Sequence, residues 1–437
     1  MRQATAPWGD ASSGATSESA LYAKVTRRLL PILFISYLAA YLDRVNVGFA
    51  KLQMLADLNY SQTVYGLGAG IFFVGYVIFE VPSNVILHRV GARMWIARIM
   101  FSWAILSALT AFVRTPTQFY ILRFLLGAAE AGFIPGILLY LTYWWPAERR
   151  GRITALFLAA IPVSGIVGGP LSGMILQAMG DVNGLRGWQW LFLLEAIPSL
   201  VLTFVIIAYL PNSIEKAKWL SDSEKATLRA NIAREDATKS AHASIGSAFK
   251  SPQVWLLSLI YFGIALGIYV LSFWLPTLIK QAGITQPRDI GLMTAVPYLF
   301  AMVAMYLVSR SADRRGERRW HTVVPTLVCG LGLALSAFGG HNIFLAMIGL
   351  TLATAGASAA QAAFWSLPAA FLGGAAAAAG IALVNSIGNL AGFLSTWLVG
   401  LLADLTHSTN GSMYFFAVIL ATAAFAILLV PARLVNR

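Results

Sequence analysis

The stretch "YLAAYLDRVNVGFA", Tyr37 to Ala50, sets an aspartate and an arginine side by side inside an apolar run. On either side of Asp43 and Arg44 the chain reads as membrane helix. A charge near the bilayer centre costs at least about 2.5–3.5 kcal/mol on insertion scales, so such groups normally face an internal cavity and find partners.

The whole chain supports the membrane reading. Of 437 residues, 58% are hydrophobic and 11% charged, with a mean hydropathy of +0.72, whereas a soluble domain carries about a quarter charged residues. Apolar runs long enough to cross roughly 30 Å of hydrocarbon recur from Leu29 to Val430, and β-barrel alternation is missing. Six spans are predicted near 28–50, 64–87, 94–113, 117–142, 153–178 and 188–210. Six more fall near 253–279, 288–310, 321–340, 343–367, 378–403 and 412–432. The expected fold is an all-α integral membrane protein of twelve helices in two six-helix halves.

Expected boundaries are an N-terminal tail at 1–27, a first half at 28–210, a linker at 211–252, a second half at 253–432 and a C-terminal tail at 433–437. Met1 to Leu21 is polar and Ser-rich, without the apolar core of a cleavable signal, and reads as a disordered cytoplasmic tail. In the linker, Ser221 followed by Glu224 makes a capping-box pattern before "KATLRANIARE", which predicts a surface helix.

The formal net charge of +13 reads as topology, not as a nucleic-acid surface, because Lys and Arg sit in short loops between spans. Lys24, Arg27, Arg28, Arg89, Arg93, Arg149, Arg150, Arg152 and the run Arg310 to Arg319 share one side. The other side holds Lys51, Arg114, Arg186, Lys280 and Arg288. The positive-inside rule makes both termini and the linker cytoplasmic, in agreement with an even number of spans. The single cysteine, Cys329, has no partner for a disulfide or a thiolate metal site. No metal or cofactor is expected, and no triad, metal cluster or phosphate loop suggests an enzyme. "GAGIF" and "GGAAAAAG" read as membrane or turn glycines.

An internal echo supports a duplicated unit: "HRVGAR", His88 to Arg93, follows the second span, and "DRRGER", Asp313 to Arg318, the eighth. A basic glycine turn at these two places resembles the major facilitator superfamily, which repeats a six-helix unit around a central substrate site. "YLDRVNVGFA", "GYVIFEVPSNVILHRVGAR", "RFLLGAAEAGFIPG" and "YWWPAERRGR" further resemble the anion:cation symporter family, with a likeness running from about Arg27 to Pro431. Tartrate, sugar-acid and aromatic-acid permeases are the nearest types. The resemblance implies proton-coupled import of a small organic anion by a monomer in a bacterial inner membrane, without ATP.

Four acids lie within spans, Asp43, Glu80, Glu130 and Glu195, together with Arg44 and Arg123. At about 1.5 Å per residue, Asp43 is roughly 22 Å along the first span and Arg123 roughly 9 Å along the fourth from the opposite side, so the two can share a level. Glu130 follows Arg123 by two turns on the same face, nearer the membrane middle. One reading is a static ion pair of Asp43 with Arg123 or Arg44. The other makes Asp43 and Glu130 proton carriers, since burial favours the neutral acid and a nearby guanidinium the ion. Arg44 points about 100° away from Asp43 and offers a planar fork suited to a carboxylate.

Glu80, near the basic turn, is expected to brace arginine turns in a gating or structural role, with Arg89, Arg93, Arg123, Asp313, Arg314 and Arg318 forming the remaining structural charges. Glu195 is expected to pair with a loop base. Candidate substrate contacts are Tyr41 and Tyr76, Gln361 and Trp365 at i and i+4, and Asn385 and Asn389 at the same spacing. Interhelical packing is the alternative for each, since polar side chains often hydrogen-bond between membrane helices. The second half lacks an acid deep in a span, which assigns coupling to the first.

"GIVGGPLSG", Gly165 to Gly173, partly resembles a pattern of proton-coupled antiporters, with Met174 where a further glycine would stand. Close helix packing explains it equally, and export is the second functional reading. A receptor in a transporter fold is a third, opposed by the buried charges.

Overall fold

The computed structural model describes residues 11–238, 249–371 and 376–436, with the side chains of 18–234, 249–368 and 380–436 except Leu434. Met1 to Asp10 of the expected tail, linker residues 239–248 and the start of "GGAAAAAG" lie outside the described residues. Twelve helices among the described residues are long and apolar enough to span a membrane. The first six are α1 (Glu18–Leu58), α2 (Gln62–Val90), α3 (Ala92–Phe112), α4 (Pro116–Thr142), α5 (Ala147–Ala178) and α6 (Gly187–Tyr209). The others are α7 (Pro252–Gln281), α8 (Pro287–Arg315), α9 (Arg319–Gly339), α10 (Ile343–Pro368), α11 (Gly380–Thr406) and α12 (Asn410–Ile427).

Local chemistry sets the helix starts. Ser61 Oγ accepts from Val64 N at 3.1 Å to open α2, and Thr115 with Gln118 forms a reciprocal capping box ahead of Pro116 in α4. Pro252 and Pro287 occupy first turns, where a missing N–H is harmless. Gly91 joins α2 to α3 at φ +92°, a backbone region that glycine enters without a Cβ clash. α4 breaks just after Glu130: Ala131 ends one segment and Gly132, at φ +86°, begins the next.

The six-helix groups meet where α2 packs on α11, α5 on α8 and α1 on α7. At the end remote from the termini these contacts reach backbone distance. A Cβ on Gly169 would lie 2.8 Å from the Gly291 carbonyl, and one on Gly291 3.0 Å from Gly173 Cα. The glycines of "GIVGGPLSG" thus serve close packing of α5 on α8, while Met174 faces outward. Asp404 of α11 caps α2 across the seam, accepting from Gln62 N at 3.0 Å and Thr63 N at 2.7 Å. Tyr65 donates to the Phe273 carbonyl at 2.7 Å.

Two features differ from expectation. The helix that carries the first span is already present at Ala11, the first described residue, inside the segment read as a disordered tail, and Leu21, Tyr22 and Val25 find an apolar seat. Lys51, read as a loop base, lies within α1, which runs to Leu58. It is 4% exposed, with Nζ 3.3 Å from the Trp274 ring centroid and 4.6 Å from that of Tyr65. Two aromatic faces replace the water that a loop would have supplied.

The linker helix Asp222–Thr238 starts with the predicted box: Ser221 N donates to Glu224 at 2.8 Å and Glu224 N to Ser221 Oγ at 3.2 Å. Lys24 donates to Glu224 at 2.8 Å and holds its carboxyl below the ordinary range. Asn231 reaches Tyr22 and Glu18, both at 3.2 Å, so this helix is tied to α1. The C-terminal segment is also tied down, since Asn436 Oδ1 accepts from Arg318 N at 2.9 Å.

Candidate functional site

Arg44 of α1 and Glu130 of α4 form a buried ion pair. Two guanidinium nitrogens converge on one carboxylate oxygen; Nε donates at 3.0 Å and Nη2 closes the contact. Such charge-assisted bonds are roughly twice as strong as neutral ones. The Arg44 guanidinium also lies 5.3 Å from the Phe72 ring centroid and 5.4 Å from that of Tyr76. Glu130 sits where α4 breaks, so its position is coupled to a local irregularity of the backbone.

Asp43 pairs with neither Arg44 nor Arg123, contrary to the ion-pair expectation. Its oxygens accept from Ser107 of α3 at 2.8 Å and Ser199 of α6 at 2.5 Å. Successive residues on a helix diverge by about 100°, which turns Asp43 into its own half and Arg44 toward Glu130. Arg123 is fully buried, and none of its three nitrogens makes a hydrogen bond. Its guanidinium lies 5.1 Å from the Phe72 centroid, so one ring stands beside two cations.

Of the candidate contacts, Tyr41 and Asn385 reach across the boundary of the halves, and the others pair within one half. Tyr41 Oη is 3.0 Å from Ser272 Oγ of α7. Tyr76 is buried beside Arg44. Asn389 accepts from Tyr269 Oη at 2.9 Å. Gln361 donates to Tyr261 Oη at 3.4 Å, and the Trp365 and Tyr261 rings are 4.8 Å apart. Asn385 donates to Glu80 Oε1 at 3.4 Å, joining α11 to α2.

Glu80 therefore reaches an amide of the opposite half; among the described residues it makes no ion pair, and the expected bracing of arginine turns is corrected. Its place on α2 turns it toward the boundary, away from the basic loop. Glu195 is corrected too: it is buried and accepts from Ser172 of α5 at 2.6 Å, with no loop base as partner. Arg89, Asp313 and Arg314 are exposed at the end of the bundle that carries the termini. Arg93 N donates to Asn212 at 3.0 Å, and Arg318 N to Asn436.

Several polar members escape the sequence reading. Tyr261 and Tyr269 lie eight residues apart in α7, a spacing that places them on neighbouring faces of one helix and is the signal that could have found them. Ser107, Ser172, Ser199 and Ser272 carry no such signal, because serine is ordinary packing material in membrane helices.

A bundle of two six-helix groups with a buried arginine–carboxylate pair near their boundary has the form of a secondary transporter. The sequence profile of the Major Facilitator Superfamily matches residues 33–396, and the chain belongs to that superfamily. Its members are transporters, not enzymes. A Pseudomonas putida protein provisionally named metabolite transport protein NicT is 52% identical, the match covering 96% of each chain. An Agrobacterium vitis protein provisionally named a tartrate transporter is 48% identical over 94% of this chain and 91% of its own. The quinolone resistance transporter of Acinetobacter baumannii is 40% identical over 94% of both. The fold is shared with the partially occluded, inward-open xylose transporter XylE of E. coli, at a TM-score of 0.72 and 15% identity, over 93% of this chain and 98% of that one. Twelve spans and bacterial transporter relatives make this a multi-pass inner-membrane protein that handles small molecules.

Proposed function

We propose that this chain imports a small organic anion of the tartrate, sugar-acid or aromatic-carboxylate type together with protons. The observation that carries the reading is the buried Arg44–Glu130 pair. The planar fork of Arg44 suits a carboxylate, and Glu130 occupies it in this state. Protonation of Glu130 would withdraw the internal carboxylate and leave the fork to the substrate. Asp43, held by two serines, is the second proton group. Tyr41, Tyr76, Gln361, Trp365, Asn385 and Asn389 supply neutral contacts around the anion. Glu80, Arg89, Arg93, Arg123, Asp313, Arg314 and Arg318 act in gating and in holding the halves.

The basic residues favour cytoplasmic termini, so the tightly packed end of the seam would face outward. The halves would then rock to admit substrate and protons from that side and release them inside, as a monomer. Each net positive charge moved inward gains about 2.3 kcal/mol per 100 mV, which a monoanion with two protons would exploit. The test is a thermal-shift screen of the purified protein over tartrate, sugar acids, phthalate and hydroxyphenylacetate, followed by uptake into proteoliposomes. An inward proton gradient should drive accumulation of the stabilising acid. Similarity to a quinolone resistance transporter favours the second reading, proton-coupled export of organic anions or drugs. Substrate leaving vesicles against its gradient as protons enter would establish export instead.

A further inference from the structure

Glu195 has no part in the Arg44–Glu130 arrangement, yet its surroundings are those of a group that handles a proton. It is 2% exposed; Ser172 donates to Oε1 at 2.6 Å, and Oε2 has no partner. The groups facing it are Ser172 from α5 and Asp43 and Asn46 from α1. No cation is among them. Asn46 is 1% exposed, and its amide faces the carboxyl without closing a well-formed hydrogen bond, so it is a polar neighbour within reach of the acid. Asp43, the one titratable neighbour, carries hydroxyls from Ser107 and Ser199 and likewise makes no ion pair with a base. Burying a carboxylate without a paired cation is costly, and the hydroxyl of Ser172 is the one hydrogen bond that the described residues give it.

A small cleft adjoins the hydroxyl that holds this acid. Ser172 lines a narrow cleft of about 20 Å³, on the scale of one water, between α1 and α5 of one half and α7 and α8 of the other. Tyr41, Ser164, Ser272, Thr294 and Tyr298 also line this cleft, among apolar neighbours such as Leu42 and Phe49. It lies beside the glycine contact of α5 on α8, the seam that must part when the halves rock.

We propose that Glu195 is a further proton-binding group of the transport cycle, loaded and unloaded through Ser172 and the adjoining cleft when α5 separates from α8. This rests on the proton-coupled reading above. The proton comes from water on one side, resides on the carboxyl of Glu195 in the closed seam, and returns to water on the other side.

Two measurements on the full-length protein test it. In infrared spectra of purified protein at neutral pH, the band of protonated carboxyl groups should lose one component in Glu195→Gln, and in the wild type that component should shift in heavy water. An unchanged band overturns the proposal. Ser172→Ala keeps the acid but removes its hydrogen bond, so the same component should move in frequency, and this variant decides the matter if Glu195→Gln does not fold. In proteoliposomes at zero membrane potential, tartrate accumulation by Glu195→Gln should fall about tenfold for each pH unit imposed, the loss of one coupled proton. Accumulation equal to wild type overturns the proposal. Failure of the wild type to accumulate tartrate would count against the proposed substrate class and leave the infrared result to decide on Glu195.

Discussion

Asp43 and Arg44 are consecutive residues that belong to different polar clusters: Asp43 receives the hydroxyls of Ser107 and Ser199, while Arg44 holds Glu130. One turn of α1 thus serves two sites, one inside the first half and one toward the boundary with the second.

The geometry of Arg44 makes its replacement by lysine a sharp probe. Arg44→Lys keeps the charge but loses the fork that meets Glu130 through two nitrogens. Half-saturation for the transported acid should rise roughly tenfold to a hundredfold, the worth of a charge-assisted hydrogen bond. Uptake kinetics of the purified variant in vesicles provide the check, and an unchanged half-saturation removes Arg44 from carboxylate binding.

Much of this architecture is legible in the chain itself. The twelve predicted spans each find a helix, and Ser221 with Glu224 forms the box that their spacing announces. The relative depth and azimuth of side chains on different helices were not legible. That is why Arg123, placed level with Asp43, turns out to lie against Phe72, while Glu130 meets Arg44. Glu195 was misread because hydrophobicity shows which residues lie in a span but not which hydroxyl of a neighbouring helix will face an acid. Lys51 was misread because a lysine usually ends a span, whereas here Trp274 shields it within α1.

Gly127 separates Phe72 from α4 so closely that a Cβ there would collide with the Phe72 carbonyl. Gly127→Ala should therefore destabilise the protein by about 1–3 kcal/mol, as overpacking does. The same shift would disturb the ring shared by Arg44 and Arg123. Thermal unfolding in detergent measures the first effect, and a melting temperature equal to wild type would show that α2 and α4 can separate freely.

The Lys51 ammonium, 3.3 Å from the Trp274 centroid, joins α1 to α7 at the packed end of the seam. Trp274→Leu keeps an apolar residue but removes the nearer of the two aromatic faces that cover Lys51 Nζ, a contact worth about 2 kcal/mol when the amine carries its charge. The closed arrangement should weaken by about thirtyfold relative to one with the seam open. A cysteine introduced at Thr63 reports on this, since native Cys329 is buried. Faster reaction of that cysteine with an impermeant maleimide in Trp274→Leu is the expected result, and equal rates would deny the cage a role in closure.

Glu130 offers the decisive test of coupling, because it is the acid that touches the proposed substrate arginine. Glu130→Gln resembles the protonated acid: it is uncharged, similar in shape and unable to form the ion pair with Arg44. The fork of Arg44 is then released from the ion pair in every conformation and keeps at most a neutral hydrogen bond to the amide, so substrate should still bind and exchange between the two sides of a vesicle. Accumulation driven by a pH gradient should fall to the level of simple equilibration, since position 130 can no longer release a proton on the side where substrate leaves. Counterflow and gradient-driven uptake measured on the same vesicles separate the two properties. Exchange without accumulation supports Glu130 as the group that links proton to substrate. Normal accumulation would leave Glu130 as a structural partner of Arg44 and shift coupling to the serine-held Asp43 in the neighbouring cluster.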